Sequence, residues 1–220
     1  SDADYTDFYY GQDKYNVQYL MNWGGTWAQY GGQQAFDDWD EIHDYALNHD
    51  LSVQSNYQHV ADEIDVTSLV DYIIINSFVV CTDWINWNTS WWRGLNPEGT
   101  HLKWGYILWD EDATFNHYIN YTNVPNEDPD AYPCYPEGIY LDPEHHIDLL
   151  NKLLENDEFS QYYITRYMDL LNTAFQEDDM IEILEGIESS ITHDMPQHIN
   201  RWGGNMNEWQ GNVQKIKDFI

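Results

Sequence analysis

The stretch that decides the fold is DVTSLVDYIIINSFVVCTDWINWN, residues 65–88. Asp65 stands at the N-cap position of a helix, and apolar residues then recur at helical spacing, at Val66, Leu69, Val70, Ile73, Ile74 and Phe78. Further apolar residues fill the other faces, so the pattern predicts a buried helix. CTDWINWN, residues 81–88, follows as a loop in which one aspartate and two asparagines stand among tryptophans.

Two segments downstream of this loop predict a β-hairpin. TSWWRG at 89–94 and HLKWGYILWD at 101–110 are joined by LNPEGT, which is rich in turn-forming residues. The second strand would deliver Asp110 at its tip. Asp110 and Asp112 alternate with Glu111, so on an extended strand end both aspartates would face the same way.

The remainder of the chain is predicted to be mainly helical. Residues 1–35 are rich in Tyr, Gly and Gln and look irregular, and the proline-rich residues 116–142 look like a long ordered loop. Periodicity and acidic starts predict helices over 37–48, 143–155, 157–174, 178–200 and 207–220. We therefore expect one α+β domain over residues 1–220, mainly helical, with a small hairpin.

The charge of the chain limits its partners. Among 220 residues, 39 are acidic and only 8 are Lys or Arg, which gives a net charge of -31. Such a surface repels nucleic acids and anionic membranes and attracts cations or basic protein segments. High solubility or a salty habitat would also explain the acidity. No apolar run is long enough to span a membrane, and the sequence leaves open whether Cys81 and Cys134 pair.

Two groups of polar residues have the chemistry of a phosphoryl-transfer site. Asp83 and Asn88 have the D-x-x-x-x-N spacing of a protein-kinase catalytic loop, in which the aspartate orients the attacking hydroxyl and the asparagine helps to hold magnesium. Asp110 and Asp112 form a carboxylate pair that suits a hard cation carrying phosphate. Turn or cap residues, and an acidic strand end in an acidic protein, are the simpler alternatives.

Four motifs, taken in order, resemble the C-terminal part of the CotH kinase family of secreted and spore-coat atypical protein kinases. They are DVTSLVDYIIINSF, DWINWN, KWGYILWDEDATF and the closing RWGG to EWQGNVQKIKDFI. The resemblance is close over residues 62–220 and looser over residues 1–61. It implies a kinase-like C-terminal lobe whose hairpin carries the metal site, and transfer of the γ-phosphate of ATP to protein serine or threonine with Mg²⁺ or Mn²⁺.

The resemblance also implies roles for individual residues. Asp83 falls at the catalytic aspartate and Asn88 at its metal-binding partner. Asp110 falls at the magnesium aspartate, with Asp112 in support. Trp104 matches the tryptophan expected against the adenine ring, and plain core packing is its alternative.

Arg93 is the best candidate among the arginines for a phosphate contact, although salt bridges are the simpler role for an arginine in so acidic a protein. The lobe that would supply a phosphate-gripping lysine is expected to be missing, because Lys14 is the only lysine before the catalytic loop.

Three functions remain open at this point. The first is Mg-ATP-dependent phosphorylation of a basic, serine-rich protein at a secreted, cell-surface or spore-coat location. The second is a metal-dependent glycosyltransferase that uses the D-x-D pair, with tryptophans stacking on sugars. The third is a non-catalytic adhesion module on the same fold. The sequence does not define the oligomeric state.

Overall fold

The computed structural model describes residues 3–115, 136–139 and 142–220. Within these ranges the chain forms nine α-helices, four β-strands and one 3-10 turn at Pro136–Gly138. The helices are α1 Ala3–Tyr10, α2 Gly32–Asn48, α3 Gln54–Glu63, α4 Val66–Phe78, α5 His146–Leu153, α6 Asp157–Leu171, α7 Glu177–Thr192, α8 Met195–Trp202 and α9 Met206–Phe219. The strands are β1 Val17–Asn22, β2 Thr26–Tyr30, β3 Thr89–Gly94 and β4 Gly105–Ile107. This architecture confirms a mainly helical α+β fold.

The helix α4 is the centre of the core. The Asp65 side chain accepts hydrogen bonds from the backbone N–H groups of Thr67 and Ser68, at 3.1 and 3.2 Å, as an N-cap should. The helix is buried on most of its surface and packs against β4 and α6. The buried helix predicted from the periodicity is confirmed, and it ends where the polar loop begins.

The sheet is antiparallel throughout, with the strand order β2-β1-β3-β4. Leu20, Trp91 and Tyr106 stand in one row across β1, β3 and β4 and face the main core. Tyr19 and Trp92 point to the opposite face and form a smaller apolar cluster with Val17. The predicted hairpin is present as β3 and β4, but it is only half of the sheet.

The N-terminal region is more regular than the sequence suggested. Residues 1–35 were expected to be irregular, yet they contain α1 and the β1–β2 hairpin. Glycine-rich turns at Gly24–Gly25 and Gly31–Gly32 flank β2, and this glycine content hides the strands from a pattern search. The helix α3 was also missed, and α2 begins five residues earlier than expected.

The C-terminal helices differ from expectation in one place. A single helix was predicted over 178–200, but α7 ends at Thr192 and α8 starts at Met195. Pro196 lies in the first turn of α8, where its missing N–H costs nothing. The loop predicted over 116–142, together with Cys134, lies largely outside the described residues. No helix in the described part of the chain combines the length and the apolar composition needed to cross a membrane.

Two buried histidines predict how stability depends on pH. Burial lowers the pKa of His43 and lowers that of His146 well below its ordinary value of 6.5. At these two side chains the unfolded chain binds more protons than the folded one, so the stability that they contribute is lost as pH falls below about 6.5. We expect a His146→Gln variant, which does not titrate and leaves a partner for the Tyr106 hydroxyl 2.8 Å away, to show a weaker loss. Urea unfolding of both proteins between pH 7.5 and 5 tests this, and parallel pH profiles would contradict it.

Candidate functional site

Two segments meet at Asn88: the polar loop, residues 81–88, and the acidic turn, residues 110–112. Its Nδ2 donates to Oδ2 of Asp83 at 3.1 Å and to the Asp83 carbonyl oxygen at 3.3 Å. The same group points to the carbonyl oxygen of Asp110 at 3.5 Å. Asn88 and Asp110 both have left-handed backbone geometry, with φ of 57° and 58°, which Asn and Asp tolerate better than most residues. The structure thus brings together three residues that are separated along the chain.

Further contacts hold the loop and the turn as one unit. The backbone N–H of Thr82 donates to the Ala113 carbonyl oxygen, and the N–H of Phe115 donates to that of Val79, both at 2.9 Å. The buried Cys81 thiol lies close to the Glu111 carboxyl. Burial raises the pKa of Glu111 to about 7. Glu111 therefore lies towards the interior beside Cys81, whereas its neighbours Asp110 and Asp112 are exposed.

The polar atoms of this unit suit a hard cation. Oδ1 of Asn88 is buried and has no hydrogen-bond partner, which is costly unless a cation or another donor satisfies it. Burial and the negative charges of Asp112 and Asp110 raise the pKa of Asp83. A divalent cation would offset the negative charge of these carboxylates and would give the Oδ1 atom of Asn88 a partner.

The acidic groups do not form a complete protein-only metal cage. In residues 3–115, 136–139 and 142–220, no three His, Cys, Asp or Glu side chains are grouped so that they could hold a metal. Magnesium in phosphoryl-transfer sites is usually held by one or two protein carboxylates together with substrate phosphates. The oxygen donors at Asn88 and Asp110 fit that arrangement.

The strand-end argument for Asp110 and Asp112 is wrong. β4 ends at Ile107, and residues 111 and 112 lie in a turn. Asp110 itself has positive φ, so the alternation of an extended strand does not apply. Both carboxylates still act on Asp83, because the turn folds back over the loop.

Trp104 lies in the core, not at the site. It is fully buried, its ring packs against Trp39 at 5.5 Å between centroids, and its backbone N–H donates to the Glu63 carbonyl oxygen at 2.8 Å. No face of the ring is open to a ligand in this structure. The core-packing alternative describes the residue, and stacking on adenine would require the surrounding core to open.

Arg93 is already neutralised by neighbouring acids. Its guanidinium forms salt bridges with Asp38 at 2.9 Å and with Glu63 at 3.3 Å, and it stacks over the Trp104 ring. It also lies near the far end of β3, about 13 Å along the strand from Thr89. The simpler role, a salt-bridge partner, therefore describes Arg93 in the structure, and a phosphate contact at Asn88 is out of its reach.

The β1–β2 turn is the part of the site that sequence reasoning missed. The N–H of Gly24 donates to the Asn86 carbonyl oxygen at 3.0 Å. Gly24 has φ +70°, and a Cβ there would lie 2.7 Å from the Trp87 ring, so only glycine fits without a shift. The signal available in the sequence was the tight pair of glycines in NWGGTW.

Comparison with known proteins defines the family. Residues 7–220, almost the entire chain, match the family described as CotH kinase protein. The chain belongs to the CotH kinase family. Membership indicates a kinase-type transferase, and it extends the resemblance seen in the four motifs to the β1–β2 hairpin. No curated protein and no solved structure matched the chain.

Proposed function

We propose that this CotH family member transfers the γ-phosphoryl group of Mg-ATP to serine or threonine hydroxyls of a protein. The observation that carries the proposal is the buried, unpartnered Oδ1 of Asn88, held beside Asp83 and next to Asp110. Phosphoryl transfer is favoured by the kinase family to which the chain belongs and by the catalytic-loop spacing of Asp83 and Asn88. It is also favoured by an oxygen-rich site whose negative charge a cation would offset.

Asp83 is the residue that orients the acceptor. Its carboxylate is partly buried, and Asn88 holds one of its oxygens, which limits the directions in which it can accept a proton or a hydrogen bond. Its raised pKa makes it a better proton acceptor than an ordinary exposed aspartate. Asp83 would accept the hydroxyl hydrogen while the oxygen approaches the phosphorus.

Asn88 and Asp110 would hold the cation, with Asp112 in support. When bound, magnesium supplies positive charge that offsets the negative charge of the phosphates and aligns them. The contacts between the Asp83 loop and the Asp110 turn keep these side chains in place before the nucleotide arrives. This preorganisation is the main contribution that a protein makes to phosphoryl transfer.

The acceptor is proposed to be a basic, serine-rich protein, because a surface with a net charge of -31 attracts basic chains and repels acidic ones. The same charge disfavours nucleic acid as a partner. A secreted, cell-surface or spore-coat location is part of the proposal and follows from the resemblance to the family.

The metal assignment predicts the effect of Asp110→Asn. Removing this carboxylate should weaken Mg-ATP binding by about 10- to 100-fold or more, since even residues behind metal ligands contribute that much. Isothermal calorimetry with ATP, with and without Mg²⁺ or Mn²⁺, measures it.

Asp178→Asn, in the first turn of α7, is the matched control, because it removes the same charge outside the loop and the turn. Equal affinity of the Asp110→Asn variant and the parent would overturn the metal assignment. Binding of a UDP-sugar with Mn²⁺, but not of ATP, would replace the kinase proposal by the glycosyltransferase alternative.

A further inference from the structure

Four tryptophans form two ring pairs at the surface next to the site. Trp23 and Trp87 meet edge to face with centroids 5.1 Å apart, and Trp27 and Trp109 do so at 6.4 Å. Trp23 is 60% exposed, Trp27 38% and Trp87 36%. We refer to Trp23, Trp27, Trp87 and Trp109 as the tryptophan surface.

The tryptophan surface is continuous with the polar site. Trp87 immediately precedes Asn88, and Trp109 immediately precedes Asp110. The other two rings come from the β1–β2 hairpin, whose turn is fastened to the catalytic-type loop by the bond from Gly24 to Asn86. Since β2 and β4 are opposite edges of the sheet, the contact between Trp27 and Trp109 shows that the segment after β4 extends to the β2 edge.

A lack of space in the core does not explain why these rings are exposed. Trp91 on β3 and Trp104 just before β4 are completely buried, so the fold has room to bury tryptophan where packing needs it. A cluster of large exposed aromatic rings is costly in water and marks an interaction site in soluble proteins. The position next to Asn88 and Asp110 places that interaction where an acceptor would lie.

The negative charges around the tryptophan surface favour a positively charged ligand. Asp110 directly follows Trp109, Asp83 lies close to Asp110 and Asp112, and each of the eight Lys and Arg side chains of the protein is engaged elsewhere. Their contacts are Lys14 with Tyr15, Arg93 with Asp38, Lys103 with Ala61, Lys152 with Glu155, Arg166 with Asp71, Arg201 with Trp202, Lys215 with Asn212 and Lys217 with Glu185. Tryptophan faces are the best side-chain partners for Lys and Arg cations.

We propose that the tryptophan surface binds Lys and Arg side chains of the acceptor polypeptide and so sets which serine reaches Asp83. The identity of the bound chain as an acceptor rests on the proposed kinase function, but the binding itself needs no transfer. Carboxylates would attract the basic chain, and the rings would hold its cations on either side of the reactive hydroxyl.

The test measures peptide binding in the absence of ATP. The probe is an eight-residue peptide that alternates Arg or Lys with serine, and its comparison is the same peptide with glutamine in place of the basic residues. The variant is Trp23→Leu with Trp27→Leu, because leucine keeps apolar area but lacks the aromatic face. Trp202→Leu is the matched control, since Trp202 is 69% exposed and lies on α8.

Calorimetry at constant ionic strength should show binding of the basic peptide, about ten-fold weaker in the double variant, as expected for the loss of two exposed cation–π contacts. The glutamine peptide should bind poorly to all proteins, and the control variant should behave like the parent. If the double variant does not fold by circular dichroism, Trp23→Leu alone gives the same comparison at the most exposed ring.

Unchanged basic-peptide affinity in a folded variant would overturn the proposal. Stabilisation by a neutral oligosaccharide that depends on Trp23 and Trp27, without basic-peptide binding, would also overturn it and identify a sugar surface. Because no ATP is present, peptide binding that needs the rings would stand even if phosphoryl transfer were never observed.

Discussion

Replacing Asp83 by asparagine is expected to reduce phosphoryl transfer by about 10²–10⁴-fold, the usual contribution of a positioned acid or base. Asparagine keeps the size of the side chain and an oxygen for the Asn88 Nδ2 group 3.1 Å away, so the loop should hold its shape. Mg-ATP affinity should stay nearly unchanged, because Asn88 and Asp110 carry the metal in this proposal. Initial rates with a basic, serine-rich acceptor and calorimetry with Mg-ATP measure the two quantities.

The comparison of Asp83→Asn with Asp110→Asn gives the sharper result. The first should lower the rate at saturating ATP, and the second should lower nucleotide affinity, whereas simple loss of folding would change both together. Transfer by Asp83→Asn at the parent rate would mean that CTDWINWN is a structural loop.

Replacing Trp104 by alanine should destabilise the protein by about 3–5 kcal/mol, the range for removing a large aromatic side chain from a core. The ring is fully buried between Trp39 and Arg93, so its loss leaves a cavity and frees the Arg93 guanidinium from a ring contact. Urea unfolding should show the loss, with nucleotide affinity of the folded fraction unchanged.

Trp202→Ala is the control for this measurement, since an exposed ring on α8 should cost little. A Trp104→Phe variant keeps most of the volume if alanine prevents folding. Weakened ATP binding with parental stability would show instead that Trp104 meets the adenine ring.

Local signals made part of this fold predictable. Periodic apolar residues and an N-cap aspartate define α4, and a turn between two aromatic segments defines the β3–β4 hairpin; both depend on neighbours in sequence. The grouping of Asp83, Asn88 and Asp110 was expected from resemblance, and the structure brings these three residues together. Their roles remain proposals.

Long-range packing made the remainder unpredictable. Tryptophan serves equally well in a core and at a ligand, and only the fold shows that Trp104 is enclosed whereas Trp23 is exposed. The alternation rule failed at Asp110 because β4 ends at Ile107 and Asp110 has positive φ, so the chain is not extended there. The strand β1 was missed because it is stabilised by pairing with β3, some seventy residues away in the sequence, and β2 in turn pairs with β1.

The pairing of β1 with β3 also determines how the protein can be dissected. All six residues of β3 pair with β1, from Thr89 opposite Asn22 to Gly94 opposite Val17. A fragment that started at residue 62, where the family motifs become clear, would leave β3 as a bare edge with unsatisfied N–H and C=O groups. Such an edge invites strands of other molecules, so the shortened protein would tend to aggregate. The smallest unit worth expressing therefore begins ahead of Val17, because the β1–β2 hairpin covers the edge of β3.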